Sequence, residues 1–236
     1  MTAPNSTTPM TTSEAGLEPP RVRAGLDTIR AYSADRTPAT IDLSDNTNLW
    51  GLPPAAARAI AAVDHDSITR YPPLYTAELK QAIASYVGHG VTPDMVVTGC
   101  GSDDVLDSAI RAFGEPGSRL AHPEPSFAMI PIFARLNSLE PIPIPLTPEF
   151  DADARAFVEC SARITYLCSP NNPTGTAFSR TAIEAVVAGT PGLVIADEAY
   201  AEFAGTTVLD LLPSSPRLLV TRTLSKAFGL AGLRIG

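Results

Sequence analysis

The feature that most constrains the fold of this chain is an alternation running from about residue 95 to residue 225. Short apolar runs ("MVVTG", "RLAHPEP", "LEPIPIPL", "RITYLCSP", "GLVIADEAY", "RLLVTRTLS") are separated by stretches of helical character. Among the latter are "SDDVLDSAIRAFG", "SFAMIPIFARLN" and "RTAIEAVVAG". Strands that alternate with helices imply an α/β fold, a mostly parallel sheet flanked by helices on both faces. The runs also stop in a telling way. "MVVTG" leads into Gly-Cys-Gly-Ser, "RITYLC" into Ser-Pro-Asn-Asn-Pro-Thr-Gly, "GLVIA" into Asp-Glu-Ala-Tyr and "LLVT" into Arg-Thr-Leu-Ser-Lys. Ligands of open α/β sheets bind beyond the carboxyl ends of the strands, so the candidate chemistry gathers at one edge.

Upstream the reading is plainer. Residues 1–24 are rich in Thr, Ser and Pro without apolar periodicity and read as a disordered arm. "GLDTIRAY" is expected to form a short helix and "TIDLSDN" a strand. "PPAAARAIAAV" reads as a helix, as does "YTAELKQAIASYVG", where Leu79, Ile83 and Tyr86 recur on one face and Gly88 ends the pattern. The division expected is an arm to residue 24, an N-terminal segment with part of a small domain over 25–65, and a large domain over 66–236.

Composition closes several doors. The formal charge is −8 with both signs interspersed, which disfavours nucleic acid as a partner. No apolar run approaches the ~18 residues of a membrane span, and the start lacks a signal-peptide pattern. Cys100, Cys160 and Cys168 are odd in number and match no zinc spacing. They read as reduced thiols of a cytoplasmic protein, with no metal site. Lysine is scarce: Lys80 and Lys226 are the only two.

Four motifs carry the candidate chemistry. In "TGCGSDDVL" a Gly-x-Gly turn at a helix start presents the N–H groups of Ser102 and Asp103 as a phosphate cradle; the plainer reading makes Ser102 a helix cap. "SPNNPTG" is a rigid turn. Turn chemistry alone accounts for Asn171, whereas Asn172 can aim an amide at a ligand oxygen. Asp197, after a buried apolar run, needs a positive partner: an Arg, a helix N-terminus or a cationic ring nitrogen. Tyr200 shares its face if a helical turn begins there. Lys226, after a strand and among small residues and Leu, is poorly solvated. Desolvation lowers its pKa and suits it to be a Schiff-base nucleophile. Thr223, Ser225 and Arg234 surround it with hydroxyls and a guanidinium fork fit for phosphate.

Taken together, "SPNNPTG", "DEAY" and "SKAFGLAGLR" resemble the pyridoxal-phosphate-dependent aminotransferases of classes I and II, nearest the histidinol-phosphate aminotransferase branch. The resemblance spans roughly residues 25–236. It implies the large domain of a fold-type I transferase with part of a small domain. It implies pyridoxal 5'-phosphate as cofactor, an amino acid or amino phosphate (histidinol phosphate foremost) as donor and a 2-oxo acid as acceptor. Lys226 would carry the cofactor and shuttle the proton, and Asp197 would pair with the pyridinium nitrogen. Tyr200 and Asn172 would bond the phenolic oxygen, with Phe127 stacked on the ring. The phosphate would rest on Ser102, Asp103, Thr223, Ser225 and Arg234. Tyr71 resembles a tyrosine that reaches the neighbouring subunit's phosphate, which implies a homodimer with composite sites.

Departures fall on the substrate side. "SDNTNLWG", with Trp50, stands where the family has an Asn-Glu-Asn-Pro-like segment, and Ile130 replaces a second aromatic. Aromatic aminotransferases and phosphothreonine-type decarboxylases share every motif named. A ligand-sensing regulator would need a basic N-terminal module, and residues 1–24 hold only Arg21 and Arg23. The resemblance further implies that an antiparallel strand follows "GLRIG", between "MVVTG" and "LLVTRTLS". The expectation is therefore that the C-terminal part is missing, and that 236 residues alone make a doubtful catalyst.

Overall fold

The computed structural model describes residues 21–23, 26, 29, 37–73 and 76–236. The expected arm and the "GLDTIRAY" helix lie almost wholly outside them.

Among the described residues five strands form one sheet: β1 (Arg119–Glu124), β2 (Glu140–Pro145), β3 (Ile164–Cys168), β4 (Leu193–Asp197) and β5 (Leu218–Thr221). Their order is β2-β1-β3-β4-β5 and every pairing is parallel. β3 is buried along its full length, as its unbroken apolar run requires at the sheet centre. β2, "EPIPIP", carries a proline at every second position and lies at an edge, the one place where missing ladder donors are tolerated.

Helices cover both faces. On one side α6 (Ala154–Cys160) and α7 (Arg180–Gly189) pack with each other over a core that includes Phe157, Leu167, Val186 and Val194. On the other, α4 (Gly101–Phe113) and α5 (Met129–Leu136) cover Leu106, Ile110, Leu120, Ile130 and Tyr166. Capping fixes two of the helix starts: Asp153 accepts from Ala156 N–H, and Ser179 from Ala182 N–H. Earlier come α1 (Pro54–Ala61), α2 (His65–Ile68) and α3 (Ala77–Val87), and α8 (Ala201–Ala204) follows β4.

Several expectations need correction. "MVVTG" is not a strand. Val96 has extended dihedrals and is buried while Val97 is exposed, so the alternation is real. Yet among the described residues no strand flanks it, and it pairs through an isolated antiparallel bridge, Cys100 to Ile235, with Gly99 bonded to Gly236 beside it. "TIDLSDN" is irregular: Ile41 and Leu43 are exposed, and the Asp42 carboxylate turns back to accept from Ser44 N–H at 2.9 Å. Tyr86 does not share the buried stripe of α3, whose buried residue is Ala84. Instead its ring meets Phe228 edge-on at 5.3 Å. α5 starts later than "SFAMIP" suggests, and α2, α6 and α8 are not expected from the sequence patterns above.

His122, in β1, is a buried group with a pH signature. Burial pushes its pKa below the ordinary value, and Nδ1 donates to Pro123 O at 2.9 Å. A depressed folded pKa means stability present above about pH 6.5 and lost as pH falls through the lower folded value. His122→Gln should flatten that acid limb in denaturant melts between pH 7 and 5. An unchanged slope would show that another group governs it.

Candidate active site

The carboxyl ends of β1, β3, β4 and β5 deliver the predicted residues to one edge. With strand order 2-1-3-4-5 the crossovers reverse between β1 and β3, the crevice where such sheets bind ligands. Asn171, after β3, is buried and joins the two strand ends. Its amide donates to Pro125 O at 3.0 Å, and its Oδ1 accepts from Ser126 at 2.8 Å. This fixes the turn that carries Phe127, partly buried against the core under α5. With Asn171 so occupied, Asn172 is left half-buried, its amide making no hydrogen bond to the described residues.

Asp197 ends β4 and is buried. Among the described residues it has no cationic partner within ion-pair distance, so of the three partners considered the Arg is not there. Three neutral donors surround it instead. Tyr166 Oη donates to Oδ2 at 2.7 Å, while Thr221 Oγ1 and Ala199 N–H each donate to Oδ1 at 3.1 Å. Burial raises its pKa, and these hydrogen bonds oppose the rise. Tyr200 precedes α8, as the expected helical turn requires. Its hydroxyl accepts from Asn46 Nδ2 at 3.0 Å, and burial raises its pKa.

Lys226 follows β5 and is half-buried. Its Nζ donates to the backbone carbonyl of Asp45 at 3.0 Å and lies 5.7 Å from the Tyr200 ring centroid. Burial lowers its pKa, as the sequence suggested. Asn48 Nδ2 holds the lysine loop by bonds to Ala227 O (3.1 Å) and Lys226 O (3.3 Å). A segment about 180 residues upstream, "DNTN", therefore lies over the lysine.

The expected cradle residues lie at the start of α4, beside Arg234. Ser102 is not the cap of α4; it lies inside the first turn, and Asp104 Oδ2 instead accepts from Cys100 N–H at 2.8 Å. Gly101 has φ +82°, a conformation that favours glycine, and a Cβ there would also displace the Arg234 guanidinium. Arg234 Nη2 reaches Cys100 O at 3.3 Å and Asp103 Oδ2 at 4.0 Å. Ile235 and Gly236 tie cradle to lysine loop: Gly99 N–H donates to Gly236 O (2.9 Å) and Leu224 N–H to Ile235 O (3.1 Å). These two residues run antiparallel in the gap between the "MVVTG" segment and β5. Thr223 Oγ1 donates to Ile235 O at 3.4 Å and accepts from Ser225 N–H at 3.1 Å.

Not every predicted residue joins. Tyr71 is fully exposed at 101% and Trp50 nearly so at 97%. Ile130, on α5, is fully buried in the core. Sequence reasoning missed Tyr166, Thr221, Asn46 and Asn48. A tyrosine inside the central run "ITYLC" was the available signal, since a buried hydroxyl needs a partner. It also missed a buttress under the lysine loop, in which Arg222 bridges Glu198 (2.7 Å) and Glu202 (2.8 Å). A concavity of about 560 Å³ that Lys226 does not line is an apolar groove whose walls include β5, Val96, Val97, Phe113 and Leu219.

The pattern that defines the family "Aminotransferase class I and II" matches residues 38–236. A histidinol-phosphate aminotransferase of Thermobifida fusca is 41% identical over 215 residues, which is 87% of this chain and 59% of that protein. One from Roseiflexus castenholzii is 39% identical over 229 residues, 94% and 61% respectively. The chain thus spans about 60% of the length of these curated relatives. Among solved structures, the histidinol-phosphate aminotransferase of Sinorhizobium meliloti in complex with pyridoxal-5'-phosphate superposes with a TM-score of 0.73 at 27% identity, over 81% of this chain and 53% of that one. A mutant aspartate aminotransferase of Thermus thermophilus gives 0.68 at 25%, over 77% and 53%.

Proposed function

Because the chain belongs to the class I and II aminotransferase family, we propose that it moves an amino group between an amino acid or amino phosphate and a 2-oxo acid. Pyridoxal 5'-phosphate is the cofactor and histidinol phosphate the leading donor. The observation that carries this reading is the presence, at one sheet edge, of two charged groups held by neutral partners. Asp197 is a buried carboxylate with only neutral donors around it, and Lys226 is a desolvated amine resting on a carbonyl. A cationic heteroaromatic ring with a reactive carbonyl group meets both needs.

The cofactor, when bound, supplies an electron sink for the bonds at the donor's α-carbon. Everything else falls to the chain. Lys226 would hold the cofactor through Nζ and later hold and return the proton of the donor carbon. Asp197 would serve the ring nitrogen and favour its protonated form. Asn172 and Tyr200 would serve the ring oxygen, and Phe127 the ring face. Ser102 and Asp103 N–H groups, with Thr223, Ser225 and Arg234, would take the phosphate.

The identities to histidinol-phosphate aminotransferases support the choice of donor. The exposed Tyr71 supports a second copy completing the site. Residues 66–236 are the proposed large domain, with 25–65 the N-terminal segment and part of a small one. Among the described residues no helix is long and apolar enough to cross a membrane. Three free cysteines fit a reducing, cytoplasmic setting.

The test is to titrate pyridoxal phosphate into the protein, reduce with borohydride and map the labelled peptide, then screen donors by spectral change. A pyridoxyl group on Lys226 and a response to histidinol phosphate are expected. Label on Lys80, or none, would overturn the cofactor reading, and a response confined to aromatic donors would overturn the substrate.

A further inference from the structure

Tyr166 has no part in the reading above, yet it makes the shortest contact to Asp197. It stands in the middle of β3, the strand buried on both faces, and is itself fully buried. Register explains its reach. Cys168 pairs with Asp197 and Tyr166 with Ile195, so Tyr166, Cys168, Ile195 and Asp197 share one face of the sheet. The ring runs along that face, and the hydroxyl arrives at Oδ2 at 2.7 Å.

A carboxylate offers about four acceptor sites. Thr221 and Ala199 fill two on Oδ1 and Tyr166 fills one on Oδ2. The remaining capacity lies on Oδ2, the oxygen that Tyr166 holds. We propose that Tyr166 is a positioning residue for Asp197, its hydroxyl fixing Oδ2 as the oxygen presented to the cofactor and keeping the carboxylate ionised. This rests on the proposed role of Asp197 opposite the ring nitrogen.

The surroundings leave Tyr166 as the main lever. Cys168, on the same strand, is a neutral thiol pushed up to about 12 by burial. Tyr166 itself is raised well above the usual phenol range, so it remains a donor across the working pH range. Tyr200, after β4, is likewise raised and neutral. From α4 the Asp103 carboxylate disfavours charge on Asp197, and from the loop after β5 the Lys226 ammonium favours it. Neither is bonded to Asp197, and both are unaltered when only the Tyr166 hydroxyl is removed.

The experiment follows Asp197 protonation by infrared difference spectroscopy in the cofactor-free protein, with the band assigned by its loss in Asp197→Asn. Tyr166→Phe is expected to move the midpoint upward by about one to two pH units. Cofactor affinity should weaken about tenfold at neutral pH and recover as pH rises. Should Tyr166→Phe fold poorly, 3-fluorotyrosine at position 166, a stronger donor, should move the midpoint downward. An unmoved midpoint in whichever variant folds overturns the proposal, because a merely structural hydroxyl would alter stability and not this titration. If instead Asp197→Asn binds the cofactor with unchanged affinity and absorbance, the role of Asp197 falls. The infrared result on Tyr166 would still stand by itself.

Discussion

Lys226→Ala should abolish borohydride-stable attachment of pyridoxal phosphate. It should also slow the half-reaction with an amino donor by at least about a hundred- to ten-thousand-fold, the usual worth of a positioned proton-transfer group. The expectation follows from placement. The amine is half-buried, its pKa is lowered by desolvation, and it stands with Asp197 and Tyr200 at the ends of adjacent strands. Lys226→Arg is the stringent companion. It keeps a cation at the site and cannot form the bond, so it should fail as completely as alanine. Rapid-scan absorbance after donor addition checks both. A Lys226→Ala protein that still retained label after reduction, or reacted within tenfold of the parent, would remove this lysine from the chemistry.

Asp197→Asn should have two effects of opposite sign. Loss of the charge facing the ring nitrogen should slow the half-reaction by several kcal/mol, about 3–5 by analogy with breaking a buried pair. At 1.36 kcal/mol per tenfold that is roughly 10²-fold or more. The cofactor-free protein should meanwhile become more stable at neutral pH, by about 1–3 kcal/mol, since a buried charge without a cation is replaced by an amide. The amide can be satisfied in place: its oxygen keeps Thr221 and Ala199, and its nitrogen can donate to Tyr166. The sign follows from the raised folded pKa of Asp197. Stability attached to this group is fully present below the ordinary carboxylate value near 4 and is lost as pH rises through its higher folded value. Urea melts of cofactor-free parent and variant across pH 4–8 should diverge as pH rises. If the variant is less stable throughout, the carboxylate is serving the fold and not the site.

How much of this could be read from residues alone depended on whether a feature is local. β3 and β4 were legible because apolar runs ending in turn residues leave few alternatives, and α7 because its apolar spacing is helical. The strand ends exposed Asn172, Asp197, Tyr200 and Lys226, since each breaks an apolar run with a polar group. "MVVTG" misled because alternation reports burial on one side and says nothing of a neighbour to pair with. Tyr166 and Thr221 were hidden for another reason. Both fit a strand by propensity, and their bonds to Asp197 come from the register between β3, β4 and β5. The bonds from Asn46 and Asn48 span more than 150 positions, and no pattern in a segment announces a contact of that kind.

The carbonyl that holds Lys226 has a consequence for how the lysine is released. An ammonium kept in place by a buried carboxylate must separate opposite charges to leave, which costs about 3–5 kcal/mol. Resting on Asp45 O, the amine gives up a single hydrogen bond to a neutral acceptor, on the order of 1–3 kcal/mol for a charged donor. Loss of its proton weakens that same bond further. The "DNTN" segment thus acts as a catch whose grip loosens on deprotonation, so the lysine is held still as an ammonium and let go as a neutral amine.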